Sequence, residues 1–130
     1  MPREREQQNR RLLRARDAMD RDYAEPLDIP ALARIAHVSQ AHFIRVFKET
    51  FGETPHRYLQ RRRVERAMTM LVDQHSVTET CFAVGFASLG TFSRTFREIV
   101  GEPPKSFREH HRTRAFTAPT CFVKAWTRPR

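Results

Sequence analysis

The chain writes one segment twice, 49 positions apart. Ser39 to Tyr58 reads SQAHFIRVFKETFGETPHRY, and Ser88 to Phe107 reads SLGTFSRTFREIVGEPPKSF. Eight pairs are identical: Ser39/Ser88, Phe43/Phe92, Arg45/Arg94, Phe47/Phe96, Glu49/Glu98, Gly52/Gly101, Glu53/Glu102 and Pro55/Pro104. Lys48/Arg97 and Tyr58/Phe107 match in character. Upstream the offset is 48, pairing Ile29 with Val77, Ala33 with Cys81, Ala36 with Val84 and Val38 with Phe86. The second copy therefore holds one extra residue in its turn. The duplication demands two similar substructures within 130 residues. A net charge of +9 on the same chain points to a polyanion as partner. A basic helix written twice matches a partner whose surface repeats, and duplex DNA is such a polymer.

Apolar periodicity predicts helices throughout. A first helix is expected from about Arg10 to Tyr23, with Leu12, Leu13, Met19 and Tyr23 on its apolar stripe and a loose basic tail over 1–9. Glu25-Pro26 ends it. Asp28 caps a second helix with Pro30 in its first turn and Ile29, Leu32, Ala33 and Ala36 facing inward. Ser39 caps a third, buried through Phe43, Val46, Phe47 and Phe51 and closed by Gly52. Thr54-Pro55 opens a long fourth helix to about Val72, about 27 Å in length. Ser76-Val77-Thr78-Glu79 is a capping box for a fifth. Gly85-Phe86 turns the chain into a sixth, capped by Ser88 and ended by Gly101. Pro103-Pro104 starts a seventh, which ends near His111.

The expected fold is all-α, with about seven helices and two helix-turn-helix subdomains joined by a long central helix. The units span about 10–53 and 74–112 around a linker helix at about 55–72. Residues 113–130 read as an extended C-terminal tail carrying Phe116, Phe122, Val123 and Trp126.

Several function classes are unsupported. The two cysteines, Cys81 and Cys121, form no C-x-x-C pair. The six histidines show no metal-ligand spacing, so no metal or cofactor is expected. No phosphate loop, nucleophile motif or carboxylate pair argues for catalysis. The N-terminus lacks the apolar run of a signal peptide. The longest uncharged stretch, Thr80 to Ser93, is too short for a membrane span. A soluble intracellular protein is the expectation.

With the phenylalanine pairs inward, the other face of the third helix presents Gln40, Ala41, Ile44, Arg45 and Lys48. The sixth presents Leu89, Gly90, Thr91, Arg94 and Arg97. Arg45 and Arg94 stand where a long donor reaches guanine O6 and N7. Ile44 and Ala41 suit a thymine methyl, and Gln40 suits adenine or a phosphate. Ser39 and Ser88, as caps beside a helix N-terminus, favour a phosphate. His42 lies beside the reading face, also within reach of phosphate. In the run Arg61-Arg62-Arg63, Arg61 and Arg62 are candidate phosphate contacts, while one member of the run is open to pairing with an acid such as Glu65 or Glu98.

The segments LARIAHVSQAHFIRVFKETFGETPHRYLQRRRVERA and AVGFASLGTFSRTFREIVGEPPKSFR resemble the AraC/XylS family of bacterial transcription regulators. The resemblance covers about residues 10 to 112. It implies two helix-turn-helix units on a central helix, with their recognition helices in successive major grooves about 34 Å apart on one DNA face. By position it implies base contacts from Ala41, Ile44 and Arg45 in the first unit, and from Gly90, Thr91 and Arg94 in the second. Backbone contacts fall to Ser39, Gln40, His42, Lys48, Arg61, Arg62, Ser88 and Arg97. Relatives often carry bulkier or amide side chains at the positions of Ala41, Leu89 and Gly90, so a second unit that mainly grips the backbone stays open beside base reading. The resemblance also implies a stand-alone regulator in the bacterial cytoplasm, associated with the nucleoid and bound to double-stranded DNA as a monomer; it suggests activation by contact with RNA polymerase, with repression left open. Two other classes stay open: a non-specific nucleoid-type protein, and a protein-interaction adaptor with a degenerate helix-turn-helix. A DNA-repair methyltransferase built on this module would need a reactive cysteine cluster that the sequence does not contain.

Overall fold

The structure is a computed structural model in which residues 2–112 are described; the expected C-terminal tail lies outside them. Among these residues all regular structure is helical: α1 (Pro2–Arg21), α2 (Ile29–Ile35), α3 (Gln40–Phe51), α4 (Pro55–Val72), α5 (Val77–Ala83), α6 (Leu89–Val100) and α7 (Pro104–His110). The chain divides into two compact units, residues 1–59 and 60–130. The division falls inside α4, so that its first turn belongs to the first unit and the rest to the second. The reason lies in its first turn. Tyr58 and Leu59 are part of the first unit's core, and the Tyr58 hydroxyl donates to Asp20 of α1 at 2.7 Å.

In the first unit, Leu12, Ala15 and Met19 of α1, Leu32, Ala33 and Ala36 of α2, and Phe43, Val46 and Phe47 of α3 close around one core. α1 differs from expectation twice. It begins at Pro2, so residues 2–9 are helical and not a loose tail. Nothing in that stretch breaks a helix. Pro2 takes the first position, where proline fits, and Glu6 precedes Arg10 by four residues in the favourable orientation. The buried stripe is Leu12, Ala15 and Met19, while Leu13 is exposed. One residue turns a helix by about 100°, which carries Leu13 off the face that Leu12 occupies.

The second unit buries Val64, Ala67, Met68 and Leu71 of α4, Cys81 and Val84 near α5, and Phe86, Phe92, Phe96 and Phe107. α5, α6 and α7 pack on one another. The duplication is visible in ring geometry. Phe43 and Phe47 stand 5.6 Å apart, as Phe92 and Phe96 stand 5.7 Å apart. Phe47 meets Tyr58 edge-on at 5.7 Å, as Phe96 meets Phe107 at 5.5 Å.

Both helix-turn-helix turns use the same backbone device. In the first, His37 N–H donates to Arg34 O and Val38 N–H to Ala33 O, each at 3.1 Å. In the second, Gly85 N–H donates to Phe82 O at 3.2 Å and Phe86 N–H to Cys81 O at 3.1 Å. Each pair closes a Schellman motif around one left-handed residue. That residue is Gly85 (φ 101°) in the second unit but His37 (φ 57°) in the first. A histidine there accepts backbone strain that glycine avoids.

Caps behave as the sequence predicts at Asp28, Ser39, Thr54 and Ser88, each accepting a backbone N–H three residues on. Ser76 likewise accepts from Glu79 N–H at 3.0 Å. The reciprocal arm of that box is replaced, because the Glu79 carboxylate meets the His75 ring.

Candidate nucleic-acid interface

The burial of Phe43, Val46 and Phe47 fixes which way α3 faces. Gln40, Ala41, Ile44, Arg45 and Lys48 are left exposed, and His42 half-buried. The burial of Phe92, Thr95 and Phe96 does the same for α6. It exposes Leu89, Gly90, Arg94 and Arg97 and leaves Thr91 half-buried. Each helix therefore presents, from its N-terminal half, one surface in which the residues expected to read bases sit together within their own unit.

The first surface is charged and pre-arranged. Arg45 Nη2 lies 2.7 Å from His42 Nδ1, and His42 Nε2 lies 3.4 Å from Oε1 of Gln8 on α1. Ser39 Oγ accepts from His42 N–H at 3.2 Å. The i, i+3 spacing of His42 and Arg45 puts them on one helical face, so that contact is legible in the sequence. Gln8 is not, because it depends on how α1 crosses α3 and on residues 2–9 being helical.

The second surface is smaller and less polar. Ser88 Oγ accepts from Thr91 N–H at 3.2 Å and donates to Thr91 Oγ1 at 3.0 Å. Thr91 keeps its own O–H as a donor. A methyl group placed on Gly90 would meet nothing within 4 Å. The fold thus has no need of glycine there, and the space beside it is open.

The arginine run is spent internally. Arg61 Nη1 reaches Glu65 Oε1 at 2.6 Å and Arg62 Nη1 reaches Glu65 Oε2 at 2.8 Å. Arg63 lies over the Phe86 ring, 5.9 Å from its centroid. The structure shows Arg61 and Arg62 taking the internal partner that the sequence left open, Glu65, and both are engaged with it. They are 22% and 16% exposed, against 1% for Glu65, and their first role is to neutralise a buried carboxylate. Sequence reading allowed one arginine to pair with an acid; a single carboxylate with two oxygens takes two. Burial pushes the Glu65 carboxyl above its ordinary value, and the positive charges of Arg61 and Arg62 pull against that rise without cancelling it.

Among the described residues no group of three or more histidines, cysteines or acids is placed to hold a metal ion. No helix among them is long and apolar enough to cross a membrane. The Cys81 thiol is buried, which raises its pKa and keeps it a poor nucleophile.

Comparison with known proteins agrees with this geometry. A helix-turn-helix domain profile matches residues 32–110. The chain is 35% identical over 85 residues to YobQ of Bacillus subtilis, described as an uncharacterized HTH-type transcriptional regulator; the match covers 65% of this chain and 35% of YobQ. It is 32% identical over 92 residues to AdaA of Bacillus subtilis, a bifunctional transcriptional activator and DNA repair enzyme, covering 70% of this chain and 44% of AdaA. The chain thus spans less than half the length of either relative. Among solved structures it is similar to the DNA-binding domain of AdpA, a global transcriptional factor, in complex with a target DNA. That match has a TM-score of 0.77 at 28% identity and covers 82% of this chain and 97% of that one.

Proposed function

We propose that this chain, which belongs to the AraC-type helix-turn-helix family, is a sequence-specific DNA-binding transcription regulator that sets α3 and α6 into successive major grooves. One observation carries the proposal. Arg45 and Arg94, equivalent in the repeat, are both exposed on helices whose opposite faces bury equivalent phenylalanine pairs. Two like cores holding two like reading faces suit a ligand that repeats.

Base reading is assigned to Ala41, Ile44 and Arg45 in the first unit and to Gly90, Thr91 and Arg94 in the second. Ser39, Gln40, Lys48, Ser88 and Arg97 grip phosphates. Arg61 and Arg62 hold Glu65. The chain works in the cytoplasm, binds as a monomer to an asymmetric bipartite site, and activates by contact with RNA polymerase. The description of AdaA as a transcriptional activator supports that sign of regulation.

A second reading, non-specific packaging of DNA, draws on the small and apolar face of α6. Affinity for an optimised duplex against a scrambled one, at about 150 mM salt, separates the two. A regulator prefers its site by at least about a thousandfold. Equal affinities favour packaging.

A further inference from the structure

Arg45 is tethered within its own unit. A guanidinium only donates hydrogen bonds, so His42 Nδ1, 2.7 Å from Arg45 Nη2, is the acceptor. The imidazole is then neutral with its proton on Nε2, and that N–H is directed at Oε1 of Gln8, 3.4 Å away. Gln8 sits in the strongly polar N-terminal stretch of α1. A three-residue chain thus runs from α1 through the half-buried His42 to the exposed Arg45.

We infer that His42 and Gln8 are positioning residues for base reading: they set the direction of the Arg45 guanidinium before DNA binds. The inference rests on Arg45 being a base reader. Arginine has much rotamer freedom to lose on binding, and a side chain already held loses less. The tether does not consume the reading groups. The guanidinium offers two donor forks, Nη1 with Nη2 and Nε with Nη2, and Nη2 carries two hydrogens. With one of these given to His42, one complete fork remains for guanine O6 and N7. His42, with both ring nitrogens engaged, acts through Arg45 and not on a phosphate. In the repeat the position of His42 is held by Thr91, which turns to Ser88 at 3.0 Å. The second unit does not repeat the tether through that position, so the first unit discriminates bases more sharply.

The test is a double-mutant cycle on the full chain with duplexes differing at single base pairs of its selected site. Arg45→Ala identifies the base position that Arg45 reads. His42→Ala is expected to lower discrimination at that same position about three- to tenfold, the worth of roughly one hydrogen bond, and to have no further effect once Arg45 is alanine. Gln8→Ala acts in the same direction more weakly. His42→Gln, which supplies an amide oxygen to Arg45, keeps most of the discrimination and guards against a mere folding defect. A uniform loss on all duplexes that persists in the Arg45→Ala background overturns the inference in favour of a phosphate contact. Unchanged discrimination in His42→Ala also overturns it. If Arg45→Ala itself leaves every base preference intact, the reading role of Arg45 fails, and the tether with it.

Discussion

Arg108, on α7, donates to the backbone carbonyl of His75 at 2.9 Å, closing the end of the α4–α5 turn within the second unit. A second bond from the same guanidinium reaches Gln74 O at 3.0 Å, and the Gln74 side chain answers with a bond to Arg108 O at 3.3 Å. Gln74 is itself left-handed, with φ 68°. One arginine therefore satisfies carbonyls that a strained turn would otherwise leave to water. Arg108→Ala should cost about 1–2 kcal/mol, read as a lower urea midpoint with an unchanged slope. A midpoint equal to that of the parent chain would show the contact to be idle.

The turns before the two recognition helices supply a paired prediction. His37 occupies in the first unit the left-handed position that Gly85 occupies in the second. His37→Gly should stabilise by about 0.5–1 kcal/mol, since relief of strain exceeds the entropy glycine adds to the unfolded chain. Gly85→Ala should destabilise by about 1–2 kcal/mol. Thermal melts of both variants check this, and shifts of the same sign would contradict it.

Glu65 should leave a signature in pH. Its folded pKa lies above its ordinary value, burial being the main cause. Such a carboxyl binds protons more readily in the folded state. Its contribution is fully present below the unfolded value, near 4.3, and is lost as pH rises through the folded value. Glu65→Gln does not titrate. The stability of the parent chain relative to Glu65→Gln should therefore increase as pH falls through that window. Denaturant titrations across it check the sign, and a gap that narrows or stays level contradicts it.

Gly90 separates fold from interface. A methyl group there meets nothing within 4 Å, so Gly90→Ala should leave the protein folded and firm α6 by about 0.5 kcal/mol. If the α6 backbone approaches DNA at that point, the same methyl weakens binding to the selected site. Unchanged affinity would remove Gly90 from the reading face.

Much of this was legible in the sequence because the repeat and the helix signals agree. Phe43, Phe47, Phe92 and Phe96 mark two cores by spacing alone. Ser39, Ser88, Gly52 and Gly101 fix where α3 and α6 begin and end. What escaped depends on tertiary packing. Residues 2–9 are strongly polar, and polarity alone does not separate a solvated helix from a tail. Leu12 and Leu13 are equally apolar, and only the packing of α1 decides that Leu12 is buried and Leu13 exposed. The pairing of Arg61 and Arg62 with one carboxylate required knowing that Glu65 is buried, and no pattern in a charged segment says so. The contact of Gln8 with His42 joins positions 34 residues apart, which local periodicity does not reach.

Two units that each read sequence in one bound site select a bipartite operator, and the full chain can be made to pick it from a random duplex library at about 150 mM salt. Two preferred blocks about one helical turn apart are expected. Arg45→Ala should erase preference in one block and Arg94→Ala in the other, each costing about 1–3 kcal/mol on the best site. Salt-sensitive binding with no preferred sequence, or preferences that neither variant alters, would contradict it.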